Sequence, residues 1–145
     1  MEGNGRRVVI ADDEMIMRQA LKAILKEGHF EVVGEATHGD EVLSKCLAYH
    51  PDILCLDINM PRKNGLEALQ DIRAQKPDLH VLIISANTAS DTVKEAIRLG
   101  AMGFIVKPFN ADQILHRLLH LFGDGSTAEK NPAATDKSEP EESNQ

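Results

Sequence analysis

Five polar residues in this chain stand where apolar runs stop. Asp12 and Asp13 close the run that begins at Arg7, Asp57 closes the run that begins at Ile53, Ser85 follows Val81-Leu82-Ile83-Ile84, and Lys107 follows Gly103-Phe104-Ile105-Val106. Three carboxylates brought together repel, and one of them is pushed toward its neutral form. A hard divalent cation removes that conflict. Oxygen donors suit Mg²⁺ or Mn²⁺, and no thiolate or imidazole accompanies them to favour a softer metal. Lys107 contributes a further positive charge. Metal and ammonium together can hold a phosphoryl group in transfer, whose charge sits on its equatorial oxygens, with Asp57 as the nucleophile. A single Asp or Ser at a loop is an ordinary cap. Recurrence at the matching ends of successive strands, with a lysine before a proline, argues against that plainer reading.

The elements that must position these residues follow from periodicity. Short apolar runs at 7–11, 31–36, 53–58, 81–84 and 103–106 alternate with amphipathic segments at about 14–26, 40–49, 66–75, 91–99 and 111–122. In the first helix Met17, Leu21, Ile24 and Leu25 recur at helical spacing, with Gly28 as the stop. Ser90 or Asp91 is the expected cap of the fourth helix, and Gly100 its end. The third strand run is nearly all apolar, as a central strand buried on both faces requires. Strands alternating with helices predict a parallel sheet with right-handed crossovers. The rhythm predicts an α/β, flavodoxin-like, doubly wound sheet of five parallel strands, order 2-1-3-4-5, with five helices. In such sheets the functional crevice lies at the carboxyl ends of the strands, beside the switch point between strands one and three. Residues 6–122 form the expected domain. Residues 123–145 lack apolar periodicity and read as a disordered acidic tail.

Composition narrows the classes of function. The formal net charge is −7, and the last 23 residues hold six acids and two bases, so the remainder is only mildly acidic. Nothing here offers the basic field that a nucleic-acid backbone requires. Aromatic residues are 3% of the chain, with no Trp, which excludes a base-stacking platform. Cys46 and Cys55 have no metal-binding or redox spacing and are expected to be inert, reduced thiols. No apolar run approaches a membrane span, and the start of the chain lacks the pattern of a signal peptide, so a cytoplasmic protein is expected. Asp112, His116 and His120 recur every four residues on the last helix; this spacing can bind a metal but is read as a solvated face.

The motifs resemble the receiver family of two-component signalling. They are Val9-Ile10-Ala11-Asp12-Asp13-Glu14, Leu56-Asp57-Ile58-Asn59-Met60-Pro61 with Asn64-Gly65, Ile84-Ser85-Ala86, and Gly103-Phe104-Ile105-Val106-Lys107-Pro108-Phe109. The resemblance covers about residues 6–122. It implies that Asp57 is phosphorylated, and that Asp13 and Asp57 ligate Mg²⁺ directly, with Asp12 acting through water and the Asn59 carbonyl completing the protein ligands. It implies that Ser85 hydrogen-bonds the transferred group and Lys107 pairs with it, and that the Lys107–Pro108 bond is cis. Phe104 matches an aromatic switch position where many relatives have Tyr, so coupling here rests on ring packing. Asn59 and Asn87, two residues past Asp57 and Ser85, match positions that influence hydrolysis of the acyl phosphate.

On this resemblance the expected chemistry is phosphoryl transfer from a sensor histidine kinase or a histidine phosphotransfer protein to Asp57, reset by slow autodephosphorylation. Such a domain modifies itself and is not an enzyme in the ordinary sense. Output is expected through protein contact at the face of the fourth helix, fifth strand and fifth helix. Met15 and Ile16 either dock a phosphodonor helix or pack in the core. The alternative is a receiver fragment of a longer DNA-binding regulator. A flavodoxin-type carrier is disfavoured because Asp12-Asp13-Glu14 would repel a flavin phosphate. A haloacid-dehalogenase-type phosphatase is disfavoured because Asn59 stands where its second aspartate belongs.

Overall fold

Alternation along each strand decides which helices cover which face of the sheet. A computed structural model describes residues 3–122. The strands are β1 (Arg7–Ala11), β2 (Glu31–Ala36), β3 (Ile53–Leu56), β4 (His80–Ser85) and β5 (Gly103–Val106), and the helices α1 (Met15–Glu27), α2 (Val42–Tyr49), α3 (Gly65–Gln75), α4 (Ser90–Arg98) and α5 (Ala111–Phe122). All pairings are parallel, in the order β2-β1-β3-β4-β5. The expected topology is therefore the observed one. The tail expected at 123–145 lies outside the described residues.

Val9, Ala11, Leu54, Leu56, Val81 and Ile83 point to one face, where α2, α3 and α4 meet them through Val42, Cys46, Leu69, Ile72 and Ala96. Val8, Ile10, Ile53, Cys55, Leu82 and Ile84 point to the other, against Leu21 and Leu25 of α1 and Ile114 and Leu118 of α5. Because β3 is buried on both faces, every one of its residues is apolar. Each such Leu or Ile contributes about 1.5–3 kcal/mol by leaving water. Burial pushes the thiols of Cys46 and Cys55 up to about 12, which keeps both protonated and inert, as expected.

Several boundaries differ from the sequence expectation. The segment expected as one helix over 40–49 opens with a 3₁₀ turn, Gly39–Glu41, where a Cβ on Gly39 would collide with the Lys63 backbone. β3 ends at Leu56, so Asp57 stands just beyond the strand, although its N–H still bonds the Ala11 carbonyl at 2.9 Å. Neither Ser90 nor Asp91 caps α4: both lie in its first turn, and Ala89 occupies the cap position without a side-chain bond. Gly28 follows α1 but is not left-handed; His29 takes that conformation (φ 65°), and a Cβ at Gly28 would press on the Leu115 side chain.

Candidate functional site

At the carboxyl edge of a parallel sheet each strand must stop and hand the chain to a loop, so polar residues there need not be buried among the helices. β1 delivers Asp12 and Asp13, β3 delivers Asp57, β4 ends on Ser85, and β5 is followed by Lys107. The five residues expected to meet do meet at this edge. One carboxylate oxygen from each of Asp12, Asp13 and Asp57 lies within 4.8 Å of the others. Asp12 and Asp57 are buried, and Asp13 is exposed.

Lys107 crosses this cluster. Its Nζ lies 2.8 Å from Asp12 Oδ2, 3.2 Å from Asp57 Oδ2 and 3.1 Å from Glu14 Oε1. Burial works against its ammonium, but the contact with Asp12 and the charges of Asp57 and Asp12 outweigh it and hold the pKa above the usual lysine range. Asp12 shows the opposite balance. Burial raises its pKa above the ordinary value, the Lys107 contact and the Glu14 N–H oppose that, and the Asp57 charge adds to the rise. One ammonium does not fully compensate the buried carboxylates. Clustered carboxylate oxygens with residual negative charge are the donor set a hard, oxygen-seeking dication fits, so Mg²⁺ suits this site.

The loops around the cluster are fixed by backbone bonds. The Glu14 N–H donates to Asp12 Oδ1 at 2.9 Å, and the Asn59 N–H donates to Asp57 Oδ1 at 3.2 Å. Gly65 opens α3 with its N–H on the Ile58 carbonyl at 2.7 Å; a Cβ there would collide with the Asp57 carbonyl oxygen. Asn64 and Glu67 form a reciprocal capping box, which sets where the loop after Asp57 becomes helix. The Lys107–Pro108 bond is cis, as the resemblance implies.

On the other side, Ser85 Oγ accepts from the Asn87 N–H at 3.1 Å, and Asn87 Nδ2 donates to Asn59 Oδ1 at 3.3 Å. The two asparagines thus span the mouth between the loops that carry Asp57 and Ser85. Phe104 is half-buried and packs on the face shared by α2, α3 and α4, one residue before buried Ile105. Met15 and Ile16 are exposed, at 60% and 71%, which rules out core packing for both. Asp112, His116 and His120 lie on α5 and take no part in this cluster.

Two contributions were not foreseen from sequence. Glu14 reaches Lys107, and Arg18 ties the site to α1 and β2. Its Nη1 donates to the Asp12 carbonyl at 2.9 Å and its Nε to Glu35 Oε1 at 2.9 Å. Glu14 stood beside Asp13 as a visible acid, but nothing local distinguishes it from a solvated one. Among the described residues no helix is long and apolar enough to cross a membrane.

The chain matches known proteins both in sequence and in fold. The family model described as "Response regulator receiver domain" matches residues 8–119. Chemotaxis protein CheY of Listeria monocytogenes is 46% identical over 112 residues, covering 77% of this chain and 94% of that protein. Transcriptional regulatory protein DegU of Brevibacillus brevis is 35% identical over 113 residues, covering 77% of this chain but 48% of that protein. Among solved structures, the CheX-CheY-BeF3-Mg complex of Borrelia burgdorferi matches with a TM-score of 0.78 and 31% identity, over 81% of this chain and 89% of that one.

Proposed function

The chain belongs to the response regulator receiver family, as a CheY-like receiver domain of two-component systems, and on that premise we propose that Asp57 is its phosphoacceptor. The observation that carries the reading is the Lys107 ammonium held 3.2 Å from Asp57 Oδ2, inside a cluster of three carboxylates. A bound Mg²⁺, or Mn²⁺ as a substitute, would supply the second positive charge that an anionic phosphoryl group needs to approach Asp57. Asp13 and Asp57 would hold the ion directly, with Asp12 acting through water and the Asn59 carbonyl as the remaining protein donor.

Asp57 attacks phosphorus, the P–N bond of a phosphohistidine breaks, and the leaving imidazole takes up a proton. Lys107 pairs with the transferred group. Ser85 exchanges its Asn87 partner for a phosphoryl oxygen and draws the loop before α4 inward. Phe104 packs into the space that opens. Slow hydrolysis at Asp57 resets the domain, which does not turn over a separate substrate. The receiver occupies residues 6–122, works in the cytoplasm and takes its phosphoryl group from a sensor kinase or a phosphotransfer protein. Its target docks on α4, β5 and α5, where Ile97 and Val106 are exposed. Output by protein contact is favoured over a DNA-binding regulator because the chain is 46% identical to the CheY relative and 35% identical to DegU.

The test is a pair of amide NMR spectra in Mg²⁺, before and after beryllofluoride, with Asp57→Asn as control. Shifts at Asp57, Ser85 and Lys107 that spread to Phe104 and α4 and vanish in the control are expected. An unchanged spectrum would leave a receiver fold without the chemistry.

A further inference from the structure

α5 carries a second cluster that phosphoryl transfer does not use. Asp112, His116 and His120 are exposed along one stripe, while Ile114, Leu118 and Leu119 fill the core side of the helix. The spacing alone reads as a solvated face, but the structure adds two observations. The rings of His116 and His120 lie parallel to within 9°, with centroids 6.2 Å apart. Among the described residues, neither ring has a hydrogen bond or ion pair. Arg117, the cation between them in sequence, lies instead beside Gly103 of β5.

We propose that His116 and His120 form a two-imidazole chelate on α5 for a borderline divalent transition metal of the Zn²⁺, Ni²⁺ or Cu²⁺ class. Residues four apart on a helix are neighbours, with Cβ atoms about 5–6 Å apart. Two histidines at this spacing hold one zinc in the H-E-x-x-H helix of metalloproteases. Metal–nitrogen bonds of about 2.0–2.1 Å at a tetrahedral angle require donor nitrogens about 3.3 Å apart. Both side chains are exposed, so the stacked rings reach that separation by turning about their own torsions, with no cost to the core. Asp112, one turn earlier, lies on the same stripe but does not join the two imidazoles in a three-donor cluster.

Ligand chemistry keeps this site separate from the first. Mg²⁺ seeks oxygen and belongs to the carboxylates at the sheet edge, whereas imidazole selects later transition metals. Two imidazoles also leave coordination positions open. The proposal does not depend on phosphorylation at Asp57.

The experiment is calorimetric titration of the full chain with Ni²⁺ and with Zn²⁺, in excess Mg²⁺ and near pH 7.5. One site is expected. His116→Gln or His120→Gln alone should weaken it by ~100-fold or more, because the second imidazole acts at high effective concentration. The imidazole proton resonances of both histidines should shift together as metal is added. Unchanged amide spectra of the metal-free variants would confirm their fold. Equal affinity in a variant carrying both His116→Gln and His120→Gln would overturn the proposal, placing the metal elsewhere. A loss of only about twofold in each single variant would also overturn it, by showing two independent imidazoles. The beryllofluoride response at Asp57 should be the same in all variants, so the two readings can fail separately.

Discussion

Lys107 holds three carboxylates at once, from Asp12, Glu14 and Asp57. Its charge and that of a dication at the cluster would both act on the carboxylates of Asp12 and Asp57. Removing the ammonium therefore deepens the negative field that a metal experiences. Lys107→Met is predicted to tighten Mg²⁺ binding by about tenfold, the order expected for unit charges a few ångströms apart in a partly buried site. The same change should blunt the spread of beryllofluoride-induced shifts beyond Asp57. Magnesium titration followed by NMR checks both, and weaker Mg²⁺ binding would contradict the electrostatic account. The sequence exposed Lys107, Asp57, Asp12, Asp13 and Ser85 because each interrupts an apolar pattern at a strand end. It did not expose Glu14, whose partner is 93 positions away and whose own surroundings are solvent.

At the scale of elements, the segment from β3 to α3 is placed by two residues with different functions. Asn64 supplies the capping box, and its replacement by Ala is predicted to cost about 1 kcal/mol in urea unfolding, with little effect on the site. Gly65 supplies room. Gly65→Ala must push on the Asp57 carbonyl and Ile58, so it should slow phosphorylation of Asp57 by small donors far more than Asn64→Ala does. Comparable rates in the two variants would show that the loop yields without moving Asp57.

Between α1 and β2, the hydrogen bond from Lys22 holds the Glu35 carboxyl below its ordinary value of 4.5, against the opposing effect of burial and with Arg18 assisting. A depressed carboxyl contributes stability above its unfolded pKa, and that contribution is lost as pH falls through the folded pKa. Glu35→Gln should therefore cost about 0.5–1 kcal/mol at pH 7, limited by solvent screening of a partly exposed pair, and nothing once the pH lies below the depressed value. Urea titrations at the two pH values measure the difference; a cost independent of pH would assign it to packing.

Element type and order were legible because burial on two faces forces apolar strands. Helix ends were less so. Gly28 does stop α1, but with ordinary negative φ and with the left-handed residue following at His29, and Ser90 reads as a cap but lies inside α4. Arg73 was invisible, since nothing local marks a helical arginine whose guanidinium donates to the carbonyls of Leu79, Leu99 and Gly100, each at 2.8 Å, and so clamps the far ends of α3 and α4.

At the scale of the molecule, folding gathers charges that the unfolded chain keeps apart. Asp12, Asp13 and Asp57 are separated by up to 45 positions in sequence but share a span of 4.8 Å in the structure. The unfolded chain offers no equivalent site, so Mg²⁺ bound at this cluster would stabilise the native state alone. At a free Mg²⁺ concentration about 100 times Kd the gain is ~2.7 kcal/mol. For a domain of this size that raises Tm by roughly 10 °C. Asp13 is exposed, so Asp13→Asn removes a ligand without opening the core. That variant should be at least as stable as the parent without metal, because one source of repulsion is gone, and should show little rise with Mg²⁺. Matched ionic strength from NaCl should not reproduce the parent's gain. A scan of Tm against Mg²⁺ for both proteins decides the matter: an equal rise in each would mean general screening of an acidic chain, and a rise confined to the parent would tie the stabilisation to the carboxylates at the sheet edge.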